Sequence, residues 1–146
     1  MRVLGIDFGE RRIGVAISDP EGRFALPLTA LARRDDPTAI REIAELARAE
    51  EIDRIVVGEP LRSDGSAGTA AARSRSFAAK LERATGVPVE TIDEALTSRE
   101  AEHRLAEAGV PRAKRAGKRD ALAAQLLLQE ALDRMAAAVA QERREP

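Results

Sequence analysis

The chain has no cysteine, tryptophan or tyrosine, and only three phenylalanines and one histidine among its 146 residues. Without cysteine there can be no disulfide, no thiolate zinc site and no cysteine nucleophile, a composition that suits a reducing compartment. With Phe8, Phe24 and Phe77 as the whole aromatic complement, the core must be built from Leu, Ile, Val and Ala. Nucleic acid cannot then be held by the stacking platforms that many single-strand binders use, so its recognition would rest on charge and shape. Charge of one sign is lacking too: 24 basic residues stand against 25 acidic ones, for a net charge of −1. Attraction for a polyanion must come from local clustering. No eighteen consecutive apolar residues occur, and no basic-then-apolar leader precedes the first strand-like segment, so a cytoplasmic protein without membrane association is expected.

What is present is a globular balance, 44% apolar and 34% charged, in a length suited to one domain. We expect that domain to span residues 1–140, with a charged tail over 141–146. Apolar runs at 2–8 and 12–18 read as a hairpin, and a third extended stretch from about Arg23 to Leu31 follows the Asp19-Pro20-Glu21-Gly22 turn. Asp36 as N-cap and Pro37 at the first helical position begin a helix that ends near Glu50. A buried strand follows at Ile52 to Gly58, then a turn-rich loop to Gly68, a helix from about Thr69 to Ala84 capped by Gly86, and a strand at Val87 to Ile92. Thr97 and Glu100 have capping-box spacing at the head of a helix that stops at Gly109-Val110-Pro111. After a basic loop, a last helix is expected from about Arg119 to Ala140. The order βββαβαβαα calls for a mixed α/β sheet with helices on both faces.

Three separate elements carry carboxylates of interest. Alternation along the first strand puts Asp7 on one face with Val3 and Gly5, in an apolar setting where a charge needs a purpose; a cap on the following turn would serve equally. Asp120 heads the stripe of Ala124, Leu127, Leu128, Ala131 and Met135, although acidic residues in a first helical turn also complement the helix dipole. Asp93-Glu94 follows a strand at the sheet edge where open α/β folds place ligands. Carboxylates gathered from such elements repel one another unless a cation intervenes, and oxygen donors without His or Cys suit Mg²⁺ or Mn²⁺. Two such ions, about 3.5–4 Å apart, would support phosphoryl transfer without a covalent nucleophile.

Several segments resemble the YqgF/RuvX family, relatives of Holliday-junction resolvases in the RNase H-like superfamily. They are Gly5-Ile6-Asp7-Phe8-Gly9 with Arg12-Ile13-Gly14-Val15-Ala16-Ile17-Ser18-Asp19, Val56-Val57-Gly58-Glu59-Pro60-Leu61 with Asp64-Gly65-Ser66-Ala67-Gly68, Asp93-Glu94-Ala95-Leu96-Thr97-Ser98, and Lys118-Arg119-Asp120 leading into the final helix. The resemblance runs over nearly the whole chain. It implies an RNase H-like, five-stranded mixed sheet, three strands antiparallel and two parallel, around a central first strand. It further implies a catalytic metal site at Asp7, Glu94 and Asp120, and processing of the 5′ end of pre-16S ribosomal RNA in ribosome biogenesis. Where the family carries Arg after Asp-Glu and a second Thr, this chain has Ala95 and Ser98, which touches substrate handling more than metal binding. Glu59, near the place where resolvases of the superfamily hold an acidic ligand, is a further candidate for the metal.

Arg112, Lys114, Arg115, Lys118 and Arg119 place five basic residues within eight, directly before Asp120. A solvated charge run would look the same, but the position favours phosphate binding. Arg12, Arg62 and Arg73 would extend the groove, and the Gly-rich 64–68 stretch, which lacks the ending of a P-loop, would form its rim. His103 is expected at the surface. Structured RNA is the expected partner, with branched DNA as the alternative substrate, and the protein is expected to be a monomer or weak homodimer. Two competing readings are a non-catalytic RNA-binding factor and an ATPase, since sugar kinases and actin-like ATPases also open with a Gly-Ile-Asp-x-Gly hairpin. Those need two such domains, and 146 residues supply one.

Overall fold

The computed structural model describes residues 1–8, 11–59, 68–93 and 97–145. Their order is β1 (Val3–Phe8), β2 (Arg12–Ser18), β3 (Ala25–Ala32), α1 (Asp36–Ala49), β4 (Arg54–Glu59), α2 (Thr69–Thr85), β5 (Val89–Asp93), α3 (Thr97–Glu107), a 3₁₀ turn at Arg112–Lys114 and α4 (Arg115–Arg144). The strands form one sheet in the order β3-β2-β1-β4-β5. β1 and β2 pair antiparallel, as do β2 and β3, whereas β4 lies parallel to β1 and β5 parallel to β4. The expected mixed sheet, central first strand included, is the one observed.

Alternation sorts the strands into two apolar layers. Leu4 and Ile6, with Ile13, Val15, Ile55 and Val57, face α1 and α2 and pack on Ile43, Phe77 and Leu81. Val3, Ala16 and Val56 face the other way and pack on Ala124, Leu128, Ala131 and Leu132 of α4. Two glycines let α4 lie close on that second face. A Cβ on Gly5 would come within 2.8 Å of the Leu128 Cβ, and one on Gly14 would collide with the backbone carbonyl of Asp120. A side chain at either position would push the helix off the sheet.

Capping and turn chemistry hold the frame. Asp19 Oδ1 accepts the N–H groups of Arg23 and Phe24 at 2.7 and 2.8 Å, closing the β2–β3 turn in which Gly22 has φ 73°. Gly86 and Gly109 take the left-handed conformation after α2 and α3, at φ 73° and 77°, as their positions predict. The N-cap of α1 is Asp35 and not Asp36, because Asp35 Oδ1 accepts the Thr38 N–H at 2.7 Å and Pro37 therefore sits one position deeper. Strand limits move by one to two residues: Ile52 belongs to the buried turn before β4, and Val87 precedes β5.

The largest departure is at the last helix, which begins at Arg115 and runs 30 residues to Arg144. The expected basic loop is thus a 3₁₀ turn followed by the first turns of α4. Arg115 anchors this start, donating to the Val110 carbonyl at 2.8 Å and to Glu102 Oε1 at 3.1 Å. No described helix is long and apolar enough to cross a membrane.

Candidate active site

Asp7 is the penultimate residue of β1 and lies in register with Gly14 of β2. Its side chain shares the α4 face with Val3 and Gly5, and it is 1% exposed. Asp120 lies in the second turn of α4, 4% exposed, on the stripe that continues through Ala123, Ala124, Leu127 and Leu128. Because Gly14 has no side chain, the Asp120 backbone rests directly on β2 opposite Asp7. The glycine in the strand and the aspartate on the helix are thus two halves of one arrangement. Gly14 was visible in the sequence as a glycine inside an apolar run, a pattern that marks close approach of another backbone, but only the structure shows which backbone arrives.

Burial raises the Asp120 carboxyl above the usual aspartate range; the Arg119 guanidinium opposes that shift, the Asp7 charge adds to it, and Arg12 opposes it. Arg119 Nε stands 3.7 Å from Asp120 Oδ1. Arg12, the first residue of β2, lies on the same sheet face as Gly14. Two of the residues expected to bind nucleic acid, Arg12 and Arg119, therefore act on Asp120 itself.

The other expected residues divide. Arg112, Lys114 and Lys118 are exposed beside the start of α4. Arg115 is tied to Glu102 and Val110, so its guanidinium is a joint between α3 and α4 and is not free to hold phosphate. Arg73 is exposed on α2, on the far side of the sheet from Asp7. Glu94, Arg62 and residues 64–67 of the Gly-rich stretch lie outside the described residues. His103 is exposed and sits 3.0 Å from Glu107.

Glu59 does not join the acidic pair. It follows Ile55 and Val57 in alternation, so its side chain points to the α2 side of the sheet. There Oε1 accepts from Arg75 Nη2 at 2.7 Å and Nε at 3.0 Å. The hydrogen bond from Arg75 holds Glu59 below the usual glutamate range, with help from Thr91. Asp93, in register with Glu59, shares that side. Among the described residues no cluster of three or more metal-ligating side chains occurs; the acidic centre comprises Asp7 and Asp120.

The model of the family described as "RuvX: Holliday junction resolvase" matches residues 1–134. A relative from Syntrophus aciditrophicus, carrying the name "Putative pre-16S rRNA nuclease", is 46% identical over 143 residues, 98% of this chain and 93% of its own. A relative of the same name from Anaeromyxobacter dehalogenans is 48% identical over 136 residues, 93% of this chain and 99% of its own. Among solved structures, T. thermophilus RuvC in complex with Holliday junction substrate superposes with a TM-score of 0.59 at 18% identity, over 93% of this chain and 96% of that one. That likeness supports the RNase H-like fold. The chain belongs to the RuvX family.

Proposed function

We propose that this chain is a divalent-metal-dependent endonuclease that processes the 5′ end of pre-16S ribosomal RNA. As a RuvX-family nuclease it is a hydrolase of phosphodiester bonds. The observation that carries the metal dependence is the pair Asp7 and Asp120, both buried and close enough for one charge to disfavour the other. Two carboxylates in that position favour a cation between them, and hard oxygen donors suit Mg²⁺ or Mn²⁺. Asp7 and Asp120 would hold the metal, with Glu94, immediately after β5, as the third ligand. Two such ions, when bound, supply Lewis acidity that activates water and stabilises the departing oxygen.

The chain's own residues do the rest. Arg12 and Arg119 would hold the phosphate next to the acidic pair, while Arg112, Lys114 and Lys118 would hold neighbouring phosphates; Arg73, on the opposite side of the sheet, is left out of this footprint. Recognition by charge suits folded RNA, whose backbone is presented in a fixed shape. The relatives' name supplies the ribosomal precursor as substrate. We also take the protein to be cytoplasmic, a single domain over residues 1–140, and a monomer or weak homodimer.

The test is Mg²⁺- or Mn²⁺-dependent cleavage of a 5′-extended 16S precursor RNA, with Asp7→Asn and Asp120→Asn as folded controls. Cleavage that needs the metal and disappears in both variants is the expected result; cleavage that survives either substitution would overturn the site. The family description favours a second reading, resolution of four-way DNA junctions. Cleavage of a junction with no action on the RNA would establish it.

A further inference from the structure

The β2–β3 end of the sheet gathers arginines that the order of the sequence keeps apart. β2 begins where β1 ends, and β3 ends beside the start of β2, with Arg12 in register with Ala32. Arg11 and Arg12 thus meet Arg33 and Arg34, and the Arg33 N–H donates to the Arg11 carbonyl at 2.9 Å. Arg11, Arg33 and Arg34 are exposed. The Arg33 guanidinium lies 5.2 Å over the Phe8 ring, which in turn stands edge-on to Phe77 at 4.5 Å, so this arginine is seated on the edge of the α1/α2 layer. The acidic neighbours are Asp35 and Asp36, and Asp35 is occupied in capping α1, its two oxygens taking the Thr38 N–H at 2.7 Å and the Thr38 hydroxyl at 3.0 Å. Among the described residues, four arginines against two aspartates leave the patch positive. Arg12 joins it to the acidic pair, since it lies on the sheet face of Gly14, against which the Asp120 backbone rests.

We propose that Arg11, Arg33 and Arg34 form a second phosphate-binding surface for structured RNA, at the end of the sheet to which β1 delivers Asp7, while Arg112, Lys114 and Lys118 flank the acidic pair from the start of α4. The inference rests on the nuclease reading above and extends its footprint. Guanidinium groups in planar forks match phosphate oxygens. Phe24, just before β3, and the exposed Leu26 and Leu28 of that strand lie towards its start, away from the arginines, so among the described residues this end offers charge without an exposed apolar anchor. That suits a nucleic acid backbone better than a protein surface.

The experiment compares wild-type protein with Arg11→Gln/Arg34→Gln, which spares the core-seated Arg33, and with Lys80→Gln/Arg83→Gln, an equal charge loss at exposed positions of α2. Binding of a 5′-extended 16S precursor RNA is followed by fluorescence anisotropy over a range of salt, with Ca²⁺ as the divalent ion. The Arg11/Arg34 variant is expected to bind about tenfold more weakly at 0.1 M salt, with a log–log salt slope shallower by about 1–2. Its melting temperature and its Mn²⁺ affinity without RNA should match wild type. An unchanged slope, or an equal flattening in the α2 variant, would overturn the proposal. Failure of wild type to bind the RNA would overturn it as well. RNA binding that loses slope in the Arg11/Arg34 variant, from a protein that never cleaves that RNA, would uphold the surface and sink the nuclease reading, so the two fail separately.

Discussion

The backbone carbonyl of Asp120 occupies the space where Gly14 would carry a side chain. Together with the approach of Leu128 to Gly5, that contact sets the depth at which α4 lies on the sheet and so brings Asp120 beside Asp7's strand.

Gly14→Ala should therefore be far worse than an ordinary glycine-to-alanine change in a strand. The new methyl group meets backbone, which cannot rotate away, so about 2–3 kcal/mol of destabilisation is expected from overpacking, together with loss of metal affinity. Gly5→Ala meets the Leu128 side chain at 2.8 Å, which has some room to move, and should cost about 1–2 kcal/mol. Urea denaturation with Mn²⁺ titration checks both, and equal effects at the two glycines would show that the helix backbone is not the obstacle.

Asp120→Asn should stabilise the metal-free protein at neutral pH. The Asp120 carboxyl is raised by burial, so the folded state binds its proton more tightly than the unfolded chain does. Stability then rises as pH falls through the raised folded value and levels off below the ordinary aspartate value of about 3.9. At pH 7 the wild type carries the cost of a buried charge, and the asparagine variant should melt higher. The difference should shrink towards acid. Added Mg²⁺ should reverse the order, because only the carboxylate gains from the ion. Melting curves between pH 4 and pH 8, with and without Mg²⁺, decide it.

Glu59→Gln should leave Mn²⁺ affinity unchanged, since its side chain meets Arg75 on the opposite side of the sheet from Asp7. A small loss of stability is expected instead. The pairing with Arg75 depresses the glutamate, so its contribution is present above the ordinary glutamate value and is lost as pH falls through the depressed one. A measurable drop in metal affinity would return Glu59 to the site.

Lys114→Gln and Arg115→Gln, neighbours in sequence, should fail in different ways. Lys114 is exposed, and its loss should flatten the salt dependence of RNA binding by about one phosphate contact without changing the melting temperature. Arg115 holds Val110 and Glu102, and its loss should cost about 1 kcal/mol of stability through the α3–α4 joint. Identical salt slopes for the two variants would refute this division.

The fold was largely legible because periodicity, glycine caps and the Asp19 turn all pointed the same way. Asp7 and Asp120 could be singled out because each put a charge on an apolar face. What escaped was the state of the 112–119 segment: its arginines and lysines read as a basic loop placed to bind phosphate, and nothing local reveals that Arg115 will find Glu102 thirteen residues back and let the helix start there. The direction of Glu59 escaped for a related reason. Alternation from Ile55 fixes its side of the sheet, but which side faces Asp7 depends on the register between β1 and β4, a long-range fact. The convergence of Arg11 with Arg33 and Arg34 is of the same kind, since it follows from strand pairing.

The face of β1 that bears Asp7 is covered by α4, the last described element of the chain. During synthesis, the hairpin, β4 and β5 can pair, and α1 and α2 can close their side, while Asp7 still has no Asp120 beside it. The acidic centre therefore comes into being only when α4 docks, so the order of assembly places the site after the sheet that carries half of it.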